Sequence, residues 1–283
     1  MSLGILILKT VFKTGFSILL LTTIPMAVTA QTIGQNLTLT RIIADSLLDF
    51  EVDNLGKLYL IGANGQLKKL DQNFDSVGIF NDIRRFGTLH GIDVSNPLKL
   101  LLFYKDFNTI QVLDRFLNVR STLDLRKAGI LQVSAITQSY DNNIWLFDEL
   151  DSKIKKVDEA GKLLLESNDF RVLFTEPLQP YKLEDYNKYL YAYDANIGLL
   201  VMDYFGAYRN MIPFTGWKNL HGISKGIVAT DKDGLVYYQP GQLELKTQPL
   251  PNKLLDSKKI RVYNQLLYVL GNDGKLRIYE LPG

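Results

Sequence analysis

The sequence has no cysteine, two histidines and two tryptophans in 283 residues. Without cysteine there can be no disulfide framework, no thiolate metal site and no acylated lipoprotein anchor. Sustained helical periodicity is also missing, as are a phosphate-binding loop, a nucleophile elbow, a Ser/His/Asp signature and a cluster with metal-ligand spacing. No charge of either sign dominates: 32 basic residues face 30 acidic ones. A nucleic-acid binder, or a protein adsorbed to a membrane surface, would be expected to carry a basic excess. The composition is nevertheless apolar enough, at 46% hydrophobic residues, to bury a real core, which excludes a disordered chain.

The first thirty residues read as a secretory signal. Lys9 and Lys13 are the only charges before Arg41, and an apolar run, Phe16-Ser17-Ile18-Leu19-Leu20-Leu21, follows them. Val28-Thr29-Ala30 then offers small residues for cleavage after Ala30. The run is short for a membrane span and is interrupted by Thr22, Thr23 and Pro25, so no stable membrane insertion is expected after cleavage. Removing the two lysines of this leader leaves 30 basic against 30 acidic residues. An exported chain of this size without disulfides fits a bacterial envelope, which predicts a periplasmic or extracellular protein.

The remainder is a repeat. Strand-like apolar cores begin at Leu58, Leu101, Ile144, Leu190, Ile227 and Leu267, at steps of 43, 43, 46, 37 and 40 residues. Turn-forming stretches precede them, such as Asp53-Asn54-Leu55-Gly56 and Asp141-Asn142-Asn143. A second turn and an alternating strand follow, as in Gln66-Leu67-Lys68-Lys69-Leu70-Asp71. The aspartates that close these strands, Asp71, Asp114, Asp158 and Asp203, fall at steps of 43, 44 and 45. Each unit therefore predicts four antiparallel strands, the size of a propeller blade. Six such units fill residues 31–283 as a single all-β domain.

The two ends complement each other. The sixth unit is one strand short, and Asn36 to Ile43 is a strand left over ahead of the first. Pairing them would close the ring and remove two exposed edges. The blades lack a Trp-Asp signature. In these turn and strand patterns the chain resembles divergent six-bladed β-propellers of the NHL and TolB-like kind, of a secreted bacterial type. That resemblance covers residues 31–283 and implies a fold and a style of binding, with no particular chemistry.

Candidate functional residues are few. His90 and His221 share a context, Leu89-His90-Gly91-Ile92 and Leu220-His221-Gly222-Ile223, ahead of units two and five, which stand opposite in a six-fold ring. Both could face one channel mouth and hold a ligand; equally, each could bond locally within its own blade. Asp231-Lys232-Asp233-Gly234 begins like a calcium loop but lacks the later ligands, and reads as a hairpin turn. Neither a metal nor a cofactor is called for, and no residue is assigned a catalytic role. Aromatics concentrate in the fourth unit and just beyond it. Tyr204, Phe205, Tyr208 and Trp217 form a candidate protein interface there, or else pack between blades. The leading expectation is a non-enzymatic interaction module or scaffold with a protein partner in the cell envelope, such as an outer-membrane secretion or assembly complex. Small-ligand or glycan binding at the channel mouth, and a hydrolase or lyase of the propeller type, are the alternatives.

Overall fold

In the middle strands of each unit, nearly every residue is apolar and buried, as in Leu100-Leu101-Leu102-Phe103. An unbroken apolar run of this length needs partners on both faces of its sheet. Leu100, Leu102 and Tyr104 pack toward blade 1, whereas Leu101 and Phe103 pack toward blade 3. The core is thus a set of layers between blades. A computed structural model, describing residues 37–43, 46–242 and 244–282, shows six four-stranded antiparallel sheets in this arrangement. The predicted leader, residues 1–30, lies outside the described residues. Among the described residues, no helix is long and apolar enough to cross a membrane.

Five blades are consecutive in sequence. The sixth contains Lys259–Tyr263, Leu266–Leu270 and Leu276–Glu280, and its outer strand is Thr38–Ile43 from the start of the domain. That strand runs antiparallel to Leu276–Glu280, with Ile43 opposite Leu276 and Thr38 opposite Glu280. Ring closure by the N-terminal strand, expected from the sequence, is therefore present. The inner strands are Leu47–Val52, Gly91–Asn96, Val133–Gln138, Lys182–Tyr186, Lys218–Ile223 and Lys259–Tyr263.

The periodic aspartates have one shared task. Asp71, Asp114, Asp158 and Asp203 stand between the third and outer strands of their blades. Each carboxylate Oδ1 accepts the backbone N–H groups two and four residues ahead, at 2.8–3.0 Å. The residue three ahead has a left-handed backbone: Phe74 and Leu117 at φ 68°, Gly161 at 86° and Gly206 at 75°. This is the three-residue hairpin loop ending in a bulge, and each strand pair shows the matching register shift.

Strand direction fixes the two faces of the ring. Turns from inner to second strand, and from third to outer strand, emerge on one face. Turns from second to third strand, and the links between blades, emerge on the other. The link face carries a short 3₁₀ turn, Phe170–Val172, and a one-turn helix, Asn252–Leu255.

Candidate functional site

Charged residues alternate with buried apolar ones on several inner strands. Lys182 and Glu184 flank Leu183, and Lys259 and Arg261 flank Ile260, both of those apolar side chains having no exposed surface. Alternation sends the apolar residue into a blade layer and its charged neighbours toward the axis. On the turn face these side chains surround a cavity of about 440 Å³. Its polar wall is Glu51, Asp93, Lys182, Glu184, His221 and Arg261, from blades 1, 2, 4, 5 and 6.

Most of that wall is bound to the protein itself. Arg261 donates to both oxygens of Glu51, each at 2.7 Å, and its third nitrogen reaches the carbonyls of Ile260 (2.9 Å) and Asn219 (3.3 Å). Lys259 adds a contact to Glu51 Oε1 at 2.6 Å. Burial opposes the charge of Glu51, but Arg261 and Lys259 together hold its carboxyl well below the usual range. Asp93 accepts from Ser95 N and Oγ on one oxygen, and from Thr137 Oγ1 (2.8 Å) and Gln138 N (2.9 Å) on the other.

These bonds are part of a series, since each of the six seams between blades has a polar tie near this mouth. Blade 1 meets blade 2 through Asn54 to the Ser95 carbonyl, and Asp93 ties blade 2 to blade 3. Asp185 accepts from Ser139, Trp145 and the Tyr140 backbone, fastening blade 4 to blade 3. Tyr186 reaches the Ser224 carbonyl of blade 5, His221 joins blade 5 to blade 6, and Arg261 returns to blade 1.

The structure places the two histidines differently. His221 lies on the cavity wall with both ring nitrogens engaged. Nε2 accepts from Val262 N at 3.0 Å, so the proton sits on Nδ1, which donates to the Asn219 carbonyl at 2.7 Å. Burial and the nearby Arg261 push its pKa down to about 3, and the ring is neutral. His90 precedes the inner strand of blade 2, at the link face. Its backbone N–H donates to Phe103, its ring meets the Phe103 ring edge-on at 5.7 Å, and it is not among the residues lining the cavity.

The aromatic candidates also separate. Trp217 is buried on the link side of blade 5, stacked on Phe214 at 4.8 Å. Tyr208 packs edge-on against Phe174 in the layer between blades 3 and 4. Tyr204 and Phe205 belong to the turn face. Tyr204 stacks on Tyr140 of blade 3 at 4.3 Å, and its hydroxyl donates to Asp185 at 3.1 Å while accepting from Lys188 N at 2.9 Å. Burial and the charge of Asp185 push the Tyr204 phenol up to about 12. Beside the stack, Phe205 is 78% exposed and Tyr140 66% exposed. Lys156 completes the site, its amine 4.4 Å from the Trp145 ring centroid and 5.3 Å from that of Tyr140.

No family model matches the chain, and no curated protein matches it by sequence. Solved structures do share its shape. A streptogramin B lyase is 14% identical, with a TM-score of 0.57 over 87% of this chain and 87% of that one. A catalytically inactive virginiamycin B lyase from Staphylococcus aureus, solved with quinupristin, is 11% identical; its TM-score is 0.60 over 86% of this chain and 99% of that one. BBS1N in complex with ARL6DN is 10% identical, with a TM-score of 0.57 over 88% and 98%. The likeness is one of fold. The chain is a divergent six-bladed β-propeller.

Sequence reasoning missed the axial charges and the role of Asp185. Their only signal was a charged residue on either side of a buried one in the first strand of a repeat. That pattern equally describes any half-exposed strand.

Proposed function

We propose that this propeller is a non-enzymatic interaction module, exported to the cell envelope, that docks a protein partner on the turn face of blades 3 and 4. The observation that supports it best is the Tyr140–Tyr204 stack with Phe205 at its edge. These rings come from different blades yet are held in place by Asp185 and Lys156. Tyr189, 39% exposed, continues the patch as the register neighbour of Asp203. Rigid rings with an apolar body and a polar tip lose little entropy on binding, which is why they anchor interfaces. A propeller of the same fold has been solved bound to a protein, ARL6DN. Placement in the envelope rests on the N-terminal leader, and a partner in an outer-membrane secretion or assembly complex is the narrower form of this proposal.

The test is capture of a tagged copy from its native host after mild crosslinking, with mass spectrometry of what accompanies it. A stoichiometric envelope protein lost with Phe205→Ala and Tyr140→Ala would support the reading. A protein that comes down alone, or a partner indifferent to both changes, would remove it.

A further inference from the structure

Two charged groups of the axial cavity have hydrogen-bonding capacity left over. Arg261, Glu51, Asp93 and His221 are bound to fixed protein partners, as described above. Lys182 and Glu184 meet through one long contact, Nζ to Oε2 at 3.3 Å, and Glu184 also accepts from the backbone N–H of Gly222. They lie two residues apart on the inner strand of blade 4, so both side chains leave the same side of that strand. Each is largely buried, with side-chain exposures of 24% and 13%, and each lines the cavity. An ammonium group has three donors and a carboxylate about four acceptor sites, so both groups keep capacity beyond these contacts.

The surroundings narrow the ligand. Lys182 stands in the field of carboxylates from three blades, Glu184, Asp93 and Glu51, which raise its pKa against the effect of burial. A purely anionic ligand would meet those same carboxylates, while Arg261, the other cation of the wall, is already bonded to Glu51. A purely cationic ligand would bind Glu184 and leave Lys182 buried without its counter-ion, a costly state. A ligand carrying one charge of each sign keeps the balance: its carboxylate takes Lys182 and its ammonium takes Glu184, closing a ring of alternating charges. The rest of the lining is mixed, with polar Asn54, Ser95 and Asn264 beside apolar Val52, Ile223 and Val262. The volume of about 440 Å³ falls within the range of small-molecule sites, roughly 300–1,000 Å³.

Gly222 bears on the position of the same carboxylate. It lies on the neighbouring inner strand, where a methyl group would collide with Glu184 Oε1. Its backbone angle is not left-handed, so the strand does not require glycine there. The space it leaves is occupied by the carboxylate.

We propose that the axial cavity is a binding site for a free α-amino acid with an apolar side chain, held head-on by Lys182 and Glu184. The site is separate from the aromatic patch, and Phe205→Ala leaves it intact. The experiment is isothermal titration of the purified full propeller with L-leucine and L-phenylalanine. 4-Methylvalerate and isoamylamine serve as probes that keep the tail of leucine and only one of its charges. The expected result is saturable one-to-one binding of at least one amino acid, with both single-charge probes at least tenfold weaker. Lys182→Met and Glu184→Gln should each weaken binding at least tenfold, at an unchanged melting temperature or a shifted but cooperative transition. Gly222→Ala provides a second route, keeping both charges while displacing the carboxylate, and should weaken binding with the fold retained. Absence of saturable binding by either amino acid would overturn the assignment. So would a single-charge probe that binds as tightly, or binding unaffected by both charge-removing variants.

Discussion

His221 Nε2 accepts a hydrogen bond from the backbone N–H of Val262, so an imidazole of blade 5 completes the backbone pairing of a strand in blade 6. This bond exists only while the ring is neutral. Its folded pKa, about 3, lies below the ordinary 6.5. Stability from this group is therefore complete above pH 6.5 and is lost as pH falls through 6.5 toward 3. The melting temperature should drop across that window. His221→Leu, by leaving the Val262 N–H without its acceptor, should cost about 1–3 kcal/mol at pH 8 and flatten the slope. A melting curve equally steep in pH for the variant would show that the dependence lies elsewhere.

The Arg261–Glu51 pair carries the seam between blades 6 and 1. Its side chains are only 10% and 12% exposed. Removing Arg261 leaves the buried Glu51 carboxylate with Lys259 as its one close counter-ion, so Arg261→Met should destabilise the ring by about 3 kcal/mol. The double variant Arg261→Met, Glu51→Leu should recover a measurable part of that loss. Urea unfolding of the four proteins gives the coupling directly, and additive losses would show that the two residues act separately.

Phe205 and Tyr204 sit side by side but should respond differently to truncation. Phe205 is exposed at a turn tip, so Phe205→Ala should change stability by no more than about 0.5 kcal/mol. Tyr204→Phe keeps the stack and removes the donor to Asp185, which predicts a loss near 1 kcal/mol. Loss of partner capture in the first variant, at full thermal stability, separates binding from folding.

Each turn aspartate should cost stability when it is removed. Asp114→Ala and Asp158→Ala each remove the acceptor for two backbone donors, a loss comparable to that of a helix cap, about 0.5–2 kcal/mol. Asp114→Ala should be the more damaging, since Leu117, rather than a glycine, holds the left-handed position in its loop. Chemical denaturation midpoints would rank the two.

Much of the fold was legible because blades are local. A turn aspartate with its two donors, and an apolar strand of four residues, are both contained within one repeat. The candidate site was less legible because it is assembled across repeats, where sequence gives no register. The histidines illustrate this. Leu89-His90-Gly91-Ile92 and Leu220-His221-Gly222-Ile223 are the same letters, yet His90 precedes its inner strand while His221 is the fourth residue of its own. In blade 2, Asp93 to Asn96 continue the strand after Ile92; in blade 5, the chain turns at Ser224. A shift of a few residues along a strand moves a side chain from one end of the channel to the other. Trp217 and Tyr204 are likewise 13 positions apart in the sequence, on opposite faces of the ring.

The last blade borrows its outer strand from the beginning of the domain. Thr40 Oγ1 donates to the Ile278 carbonyl across 238 positions of sequence. Tethering chain ends so far apart costs about 5 kcal/mol in loop entropy, and contacts of such long range form late. If the chain is threaded through a membrane N-terminus first, Thr38–Ile43 arrives at the far side before any of the strands it must join. It then waits there without a sheet until Leu276–Glu280 has crossed. Sealing of the ring thus reports that Leu276–Glu280 has arrived, and a chain stalled before that point would keep both sides of the seam open to proteases.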